Sequence, residues 1–146
     1  MSDKGGMIKM ADYETIHIFS DGGARGNPGP AGAGAVLIDP KTGQPIAEVN
    51  KYLGHTTNNQ AEYQALILAL EEVKKYSPKS LVCYLDSELI VRQLGGIYKV
   101  KNPAIKKRFL EAQELLGNMS VRFVHIPREQ NSRADKLANL AMDRGM

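Results

Sequence analysis

Tryptophan is absent, and the single cysteine is Cys83. One cysteine excludes an internal disulfide and a thiolate cluster for zinc. Cys83 lies inside an apolar run and reads as a small buried hydrophobe. Histidine occurs only three times, so an imidazole-rich metal site is a poor fit as well. No stretch approaches the roughly 20 apolar residues that a membrane helix needs. The first residues lack the apolar core of a signal peptide, so a cytoplasmic protein with no membrane association is expected. The formal charge is only +3, compatible with a polyanionic partner without demanding one. Repeats and low-complexity segments are missing too. What remains is a chain of 146 residues, 42% hydrophobic and 24% charged, enough for one domain with a real core. Residues 1–12, with Met7 and Met10, are expected to form a disordered leader, and residues 13–146 a single domain.

Glycine and proline are plentiful in one place, the stretch Asp21-Gly22-Gly23-Ala24-Arg25-Gly26-Asn27-Pro28-Gly29-Pro30. It follows a predicted strand from Thr15 to Ser20, rich in β-branched and aromatic bulk. Asp21 is expected where that strand stops and the loop begins. A second strand is predicted from Ala33 to Ile38, a turn at Asp39-Pro40-Lys41-Thr42-Gly43, and a third strand from Ile46 to Leu53. The glycines of the second strand point to close backbone approach. From Thr57 the apolar spacing shifts to three and four, through Ala61, Ala65, Leu66, Ala69, Leu70 and Val73, which marks an amphipathic helix. Thr57 with Gln60 resembles a capping box, and Ser77-Pro78 stops the helix. Ser80 to Leu85 is a continuous apolar run, predicted as a strand buried on both faces. A short helix from Ser87 to Leu94 follows, then a helix from Pro103 to Leu116 with proline at its first position. The last strand is placed at Met119 to His125, and a final helix from about Asn131 to Met142. This order predicts an α/β fold. Its five-stranded mixed sheet has three antiparallel strands followed by two parallel ones, with helices on both faces.

Four acids fall at or near element junctions: Asp21, Glu62, Asp86 and Asp135. Each has an ordinary local explanation: a turn aspartate, a first-turn helix carboxylate, an N-cap, and part of a second cap. Taken together they converge. If the first strand pairs with the fourth, Asp21 and Asp86 lie side by side. Helices that follow parallel strands start at the same rim, which brings Asp135 there, and the first long helix can set Glu62 above the pair. Two carboxylates about 4 Å apart repel by roughly 4 kcal/mol at an effective dielectric of 20. Hard divalent cations relieve that repulsion, and all-oxygen ligation suits magnesium or manganese. Four carboxylates can hold two such ions for in-line displacement at phosphorus, which predicts phosphodiester hydrolysis of a polyanion.

Four stretches also resemble a known family, the type 1 ribonucleases H. The opening motif is similar to Phe19-Ser20-Asp21-Gly22-Gly23 with Gly26-Asn27-Pro28-Gly29-Pro30-Ala31-Gly32. The second resembles Thr56-Thr57-Asn58-Asn59-Gln60-Ala61-Glu62, and the third Leu85-Asp86-Ser87-Glu88-Leu89-Ile90-Val91-Arg92-Gln93-Leu94. The fourth resembles Pro127-Arg128-Glu129-Gln130-Asn131-Ser132-Arg133-Ala134-Asp135-Lys136-Leu137-Ala138. They occur in the family's order and together each delivers its acid. The resemblance implies a ribonuclease H-like fold and an endonuclease that cuts the RNA strand of an RNA–DNA hybrid, leaving 5′-phosphate and 3′-hydroxyl ends. It implies two Mg2+ ions, which Mn2+ can replace, and a monomer. Asp21 would bridge both metals, Asp86 would complete the nucleophile-side site, and Glu62 and Asp135 would serve the leaving-group side. Gly22, Gly23, Asn27, Asn58 and Asn59 would contact the RNA strand's 2′-hydroxyls in the minor groove. Thr57 and Asn27 would hold a DNA phosphate.

The chain departs from the family in informative places. Glu88 stands where many relatives carry glutamine, and His55 where they often carry arginine. The basic insertion with tryptophans is absent, which marks the compact subtype. Phe123-Val124-His125-Ile126-Pro127 reads as strand to its end, so Arg128, on the loop itself, is preferred over His125 as the residue contacting substrate. Lys99, Lys101, Lys106, Lys107 and Arg108, with Tyr98 nearby, are expected to meet the DNA backbone. Two other readings compete. One adds double-stranded RNA as a substrate. The other is a non-catalytic hybrid-binding module, whose signature would be a lost acid.

Overall fold

In the computed structural model, which describes residues 13–145, the first strand, β1, spans Thr15–Ala24. The leader expected at residues 1–12 lies outside the described residues. β1 does not stop at Asp21. The chain stays extended because Gly22 and Gly23 pair with Ala33 and Gly32 on the antiparallel strand β2, Gly29–Ile38. The loop therefore shrinks to residues 25–28, and Asp21 is a mid-strand residue. β3, Pro45–Thr56, pairs antiparallel with β2 and completes a meander.

Thr57 caps α1, Asn58–Val73, accepting from the Gln60 backbone N–H at 3.3 Å. Only that half of the capping box forms. The Gln60 side chain turns away and accepts from Arg108 Nε at 3.0 Å, on the helix α3, Pro103–Leu116. Asn102 caps α3, with Pro103 in its first turn as predicted. Between them lie β4, Ser80–Leu85, and the short helix α2, Glu88–Leu94. β5, Ser120–His125, is followed by a 3-10 turn, Arg128–Asn131, and by α4, Ser132–Arg144.

β4 pairs parallel with β1 and β5 parallel with β4, giving the five-stranded order β3-β2-β1-β4-β5. This is the predicted mixed sheet, with α1 and α3 on one face and α4 on the other. The main core lies under α1 and α3, where Ile16 and Ile18 of β1 meet Leu81 and Leu85 of β4 and Leu66 and Leu70 of α1. Burying each such side chain contributes about 1.5–3 kcal/mol. One expectation for β4 fails. Leu81, Cys83 and Leu85 are buried, but Val82 and Tyr84 are only half-buried. The reason is that α4 packs over β1, β2 and β3 and stops short of β4. No helix among the described residues is long and apolar enough to cross a membrane.

Glycine lets helices approach both faces of this sheet. A Cβ on Gly22 would lie 2.0 Å from the Ala61 carbonyl oxygen of α1, and one on Gly34 would lie 2.5 Å from that of Ala134 in α4. Backbone cannot yield as a side chain does. Gly22→Ala is therefore expected to destabilise the protein by about 3 kcal/mol, at the upper end for overpacking. Thermal unfolding should record a drop of roughly 6–12 °C for a domain of this size. An unchanged melting temperature would mean that α1 does not pack this closely.

Candidate active site

The strand register determines where the first two acids meet. Phe19 of β1 lies level with Tyr84 of β4, so two residues further on Asp21 comes level with Asp86, just beyond β4. Asp86 is not the cap of α2. That role belongs to Ser87, whose hydroxyl accepts from the Ile90 N–H at 3.3 Å. Glu62 is not a first-turn carboxylate either, since α1 has no acid in its first turn. Its Oε1 instead accepts from the Gly22 backbone N–H at 3.0 Å, and the residue is 7% exposed. The glycine that lets α1 approach β1 is thus the one that fixes Glu62. One carboxylate oxygen from each of Asp21, Glu62 and Asp86 lies within 4.8 Å of the others. Asp135, in the first turn of α4, is within hydrogen-bonding reach of Asp21. All four acids line one cavity of about 540 Å³.

Electrostatics follow from this crowding. Burial pushes the Asp21 carboxyl up to about 8, and Asp86 and Asp135 add to the rise while Arg128 opposes it. Glu62 is also held well above the usual carboxylate range, first by burial and then by Asp21 and Asp86, with the Gly22 N–H working against them. The local explanations for Asp21, Glu62 and Asp86 therefore lapse, while Asp135 keeps a first-turn place that the dipole of α4 favours. None caps a helix, and their mutual repulsion raises the energy of the ionised cluster.

Around the acids, the cavity wall brings together Gly22, Gly23, Asn58, Asn59 and Arg128 from the predicted substrate surface. Asn27 and Thr57 lie outside the wall. Asn27 Oδ1 accepts from the Asn58 N–H at 3.0 Å, and Asn58 Oδ1 accepts from the Ala24 N–H at 2.8 Å. The two asparagines thereby latch the loop onto the start of α1, and the Asn58 Nδ2 has no partner among the described residues. His125 is exposed at the end of β5 and does not line the cavity. In the expected basic patch, the four lysines are exposed, but Arg108 is tied to Gln60 and Glu111. Glu88 is neutralised locally, its Oε2 accepting from Arg92 Nε and Nη2 at 2.9 and 2.8 Å.

Three residues escaped the sequence reading. Arg25 lines the cavity and binds Asn139 and, at 2.7 Å, Asp143 on α4. Its signal was available, as the one cation inside the glycine loop. Asn139 and Asn131 gave none, because their partners depend on how α4 lies on the sheet. Asn131 is buried and bonded to Asp86.

The donor set suits a hard divalent cation. It is all carboxylate oxygen, closely spaced and partly desolvated, with neither thiolate nor imidazole among the clustered groups. Asp21, Glu62 and Asp86 are the residues that would hold it, with Asp135 beside them.

Fold and site together define an α/β protein with a partly buried carboxylate centre at the seam between β1 and β4. A family model described as Reverse transcriptase-like matches residues 19–141. A ribonuclease H of Clostridium botulinum is 34% identical over 144 residues, covering 88% of this chain and 95% of the relative. The bifunctional protein Rv2228c of Mycobacterium tuberculosis is 42% identical over 129 residues, 88% of this chain, and the chain spans only 35% of that relative's length. Among solved structures, LC11-RNase H1 in complex with an RNA/DNA hybrid matches with a TM-score of 0.84 at 48% identity, covering 89% of this chain and 98% of that one. The chain belongs to the ribonuclease H family.

Proposed function

We propose that this chain is a divalent-metal-dependent endonuclease that hydrolyses the RNA strand of RNA–DNA hybrids, leaving 5′-phosphate and 3′-hydroxyl ends. The observation that carries the reading is the cluster of Asp21, Glu62 and Asp86, with oxygens within 4.8 Å, completed by Asp135 on the same cavity. All four acids are retained, which argues against a hybrid-binding module without catalysis. The bound group is two Mg2+ ions, with Mn2+ as a substitute. When bound, the cations supply an activated water and neutralise charge on the leaving oxygen.

The chain's own residues position the substrate. Asp21 and Asp86 hold the nucleophile side, and Glu62 and Asp135 the leaving-group side. The Gly22 N–H is committed to Glu62, so that glycine meets the RNA only through the backbone it contributes to the cavity wall. Gly23 lies open on the same wall. The free Nδ2 of Asn58 and the amide of Asn59 are donors for 2′-hydroxyls. Asn27 and Thr57, at the edge of the cavity, meet a DNA phosphate. The protein acts as a monomer in the cytoplasm.

Arg128 provides phosphate contact. Arg128→Ala is expected to raise the hybrid KM several-fold and to reduce the salt slope of binding by about one. His125→Ala should leave turnover within about two-fold, since the imidazole does not line the cavity. A large loss of turnover confined to His125→Ala would reverse these roles, and steady-state kinetics of both variants decide it. Substrate range is tested with labelled hybrid, double-stranded RNA and single-stranded RNA, each with Mg2+, Mn2+ or chelator. Hybrid left uncut with either metal would overturn the reading, and cut double-stranded RNA would widen it.

A further inference from the structure

Asn131 stands at the N-cap of α4, where an asparagine side chain ordinarily accepts from the helix's own first amides. Here it makes no cap bond. It is 1% exposed, and its Nδ2 donates to the Ser20 carbonyl at 2.8 Å and to Asp86 Oδ2 at 3.1 Å. Both partners accept, so the nitrogen end of the amide must face them. Oδ1 is then left buried without a hydrogen bond from any described residue. Asn131 also borders a small cavity of about 200 Å³ whose walls include Phe19, Val36, Ile38 and Ala134. An asparagine here serves stability badly, because it forgoes the cap and keeps a buried acceptor unpaired. Its nitrogen, by contrast, ties together three elements that deliver acids. Ser20 precedes Asp21 on β1, Asp86 directly follows β4, and Asn131 itself lies one helical turn before Asp135.

We propose that Asn131 is a positioning residue of the metal centre. It fixes the rotation of the Asp86 carboxylate and the spacing between the acids of β1 and of α4. The inference rests on the metal-dependent hydrolysis proposed above. A hydrogen bond to a ligating carboxylate typically sets metal affinity and activity by 10–100-fold.

The test compares wild type, Asn131→Leu, Asp86→Asn and the double variant. Mn2+ binding is measured by calorimetry and hybrid cleavage by steady-state kinetics. Leucine keeps the branched outline and the number of heavy atoms, its extra bulk faces the adjoining small cavity, and it removes the donor. Asn131→Leu is expected to raise the Mn2+ Kd about ten-fold and to lower kcat by about 10–100-fold. The hybrid KM should stay within about two-fold, because a group acting through Asp86 does not touch the substrate. In the Asp86→Asn background the same change should cost less than in wild type, since the carboxylate it steadies is already gone and only the bond to the Ser20 carbonyl is left to lose. A purely structural role would lower the melting temperature and leave the Mn2+ affinity of folded protein unmoved. Mn2+ Kd and kcat within about two-fold of wild type would overturn the proposal, as would an equal loss in the Asp86→Asn background. If Asn131→Leu does not fold, Asn131→Ala replaces it with the same expected and contrary results. Wild type that binds Mn2+ yet cuts no hybrid would sink the hydrolytic reading, and the Mn2+ comparison alone would then decide the role of Asn131.

Discussion

Asp21→Asn is expected to lower the rate of hybrid cleavage by about 10³-fold or more, with hybrid affinity unchanged or slightly tighter. Asp21 is the acid that feels all the others. It shares the close cluster with Glu62 and Asp86 and lies within hydrogen-bonding reach of Asp135. Asparagine keeps its shape and its place in the β1 ladder, so the sheet should survive. What disappears is one anionic donor at the centre, and with it part of the repulsion that a polyanionic backbone meets. Single-turnover kinetics and fluorescence anisotropy separate the two effects. Cleavage at the wild-type rate would remove Asp21 from the centre of the site.

The second large effect concerns pH and metal. Asp21, pushed up to about 8, and Glu62, also raised, are held neutral in the metal-free fold at pH values where the unfolded chain has ionised them. The folded state then binds more protons than the unfolded one, so stability falls as pH rises. The contribution is complete below the ordinary carboxylate range near 4 and is lost as pH climbs through about 8. In chelator, the melting temperature should therefore decline between pH 5 and pH 8 by several degrees, on the order expected for a loss of one to a few kcal/mol. Added Mg2+ or Mn2+ should restore it, more strongly at pH 8 than at pH 5, because protons must leave before the cation is held. Calorimetry at neutral pH should register proton release on metal binding. A metal-free melting temperature that is flat or rises over this range would show that the acids are not crowded and desolvated as described.

Much of this arrangement was legible in the chain because local signals agreed with the final packing. Pro103 after Asn102 marked the start of α3. The apolar run at Ser80–Leu85 marked β4 with its observed bounds, and the helical spacing from Ala61 to Val73 gave the buried face of α1. The four acids stood out because each was expected near a junction; Asp86 and Asp135 do lie at one, whereas Asp21 is inside β1 and Glu62 beyond the first turn of α1. What failed depended on partners distant in sequence. Gly22 and Gly23 read as loop because glycine is a weak strand former, yet antiparallel pairing with Ala33 and Gly32 keeps them extended. Val82 and Tyr84 read as buried because their sequence cannot say that α4 stops short of β4. Gln60 read as half of a capping box, but Arg108, 48 residues away, claims its side chain. Asn131 had no signal at all. An asparagine at a helix start reads as a cap, and only the fold reveals that its nitrogen reaches Ser20 and Asp86, 111 and 45 residues away.

The same distant packing explains how Gly22 serves two purposes. Its missing side chain admits the backbone of α1, and its N–H then holds the Glu62 carboxylate. Stability and site geometry meet in one residue, so Gly22→Ala should impair metal binding as well as folding.

The central claim is tested most directly by cleavage of a hybrid labelled separately on its RNA and DNA strands, with Mg2+, Mn2+ or chelator, followed by analysis of the product ends. The expected result is cleavage of the RNA strand alone, dependent on metal, with 5′-phosphate and 3′-hydroxyl termini. RNA that stays intact with both metals, cleavage that persists in chelator, or cutting of the DNA strand would contradict it.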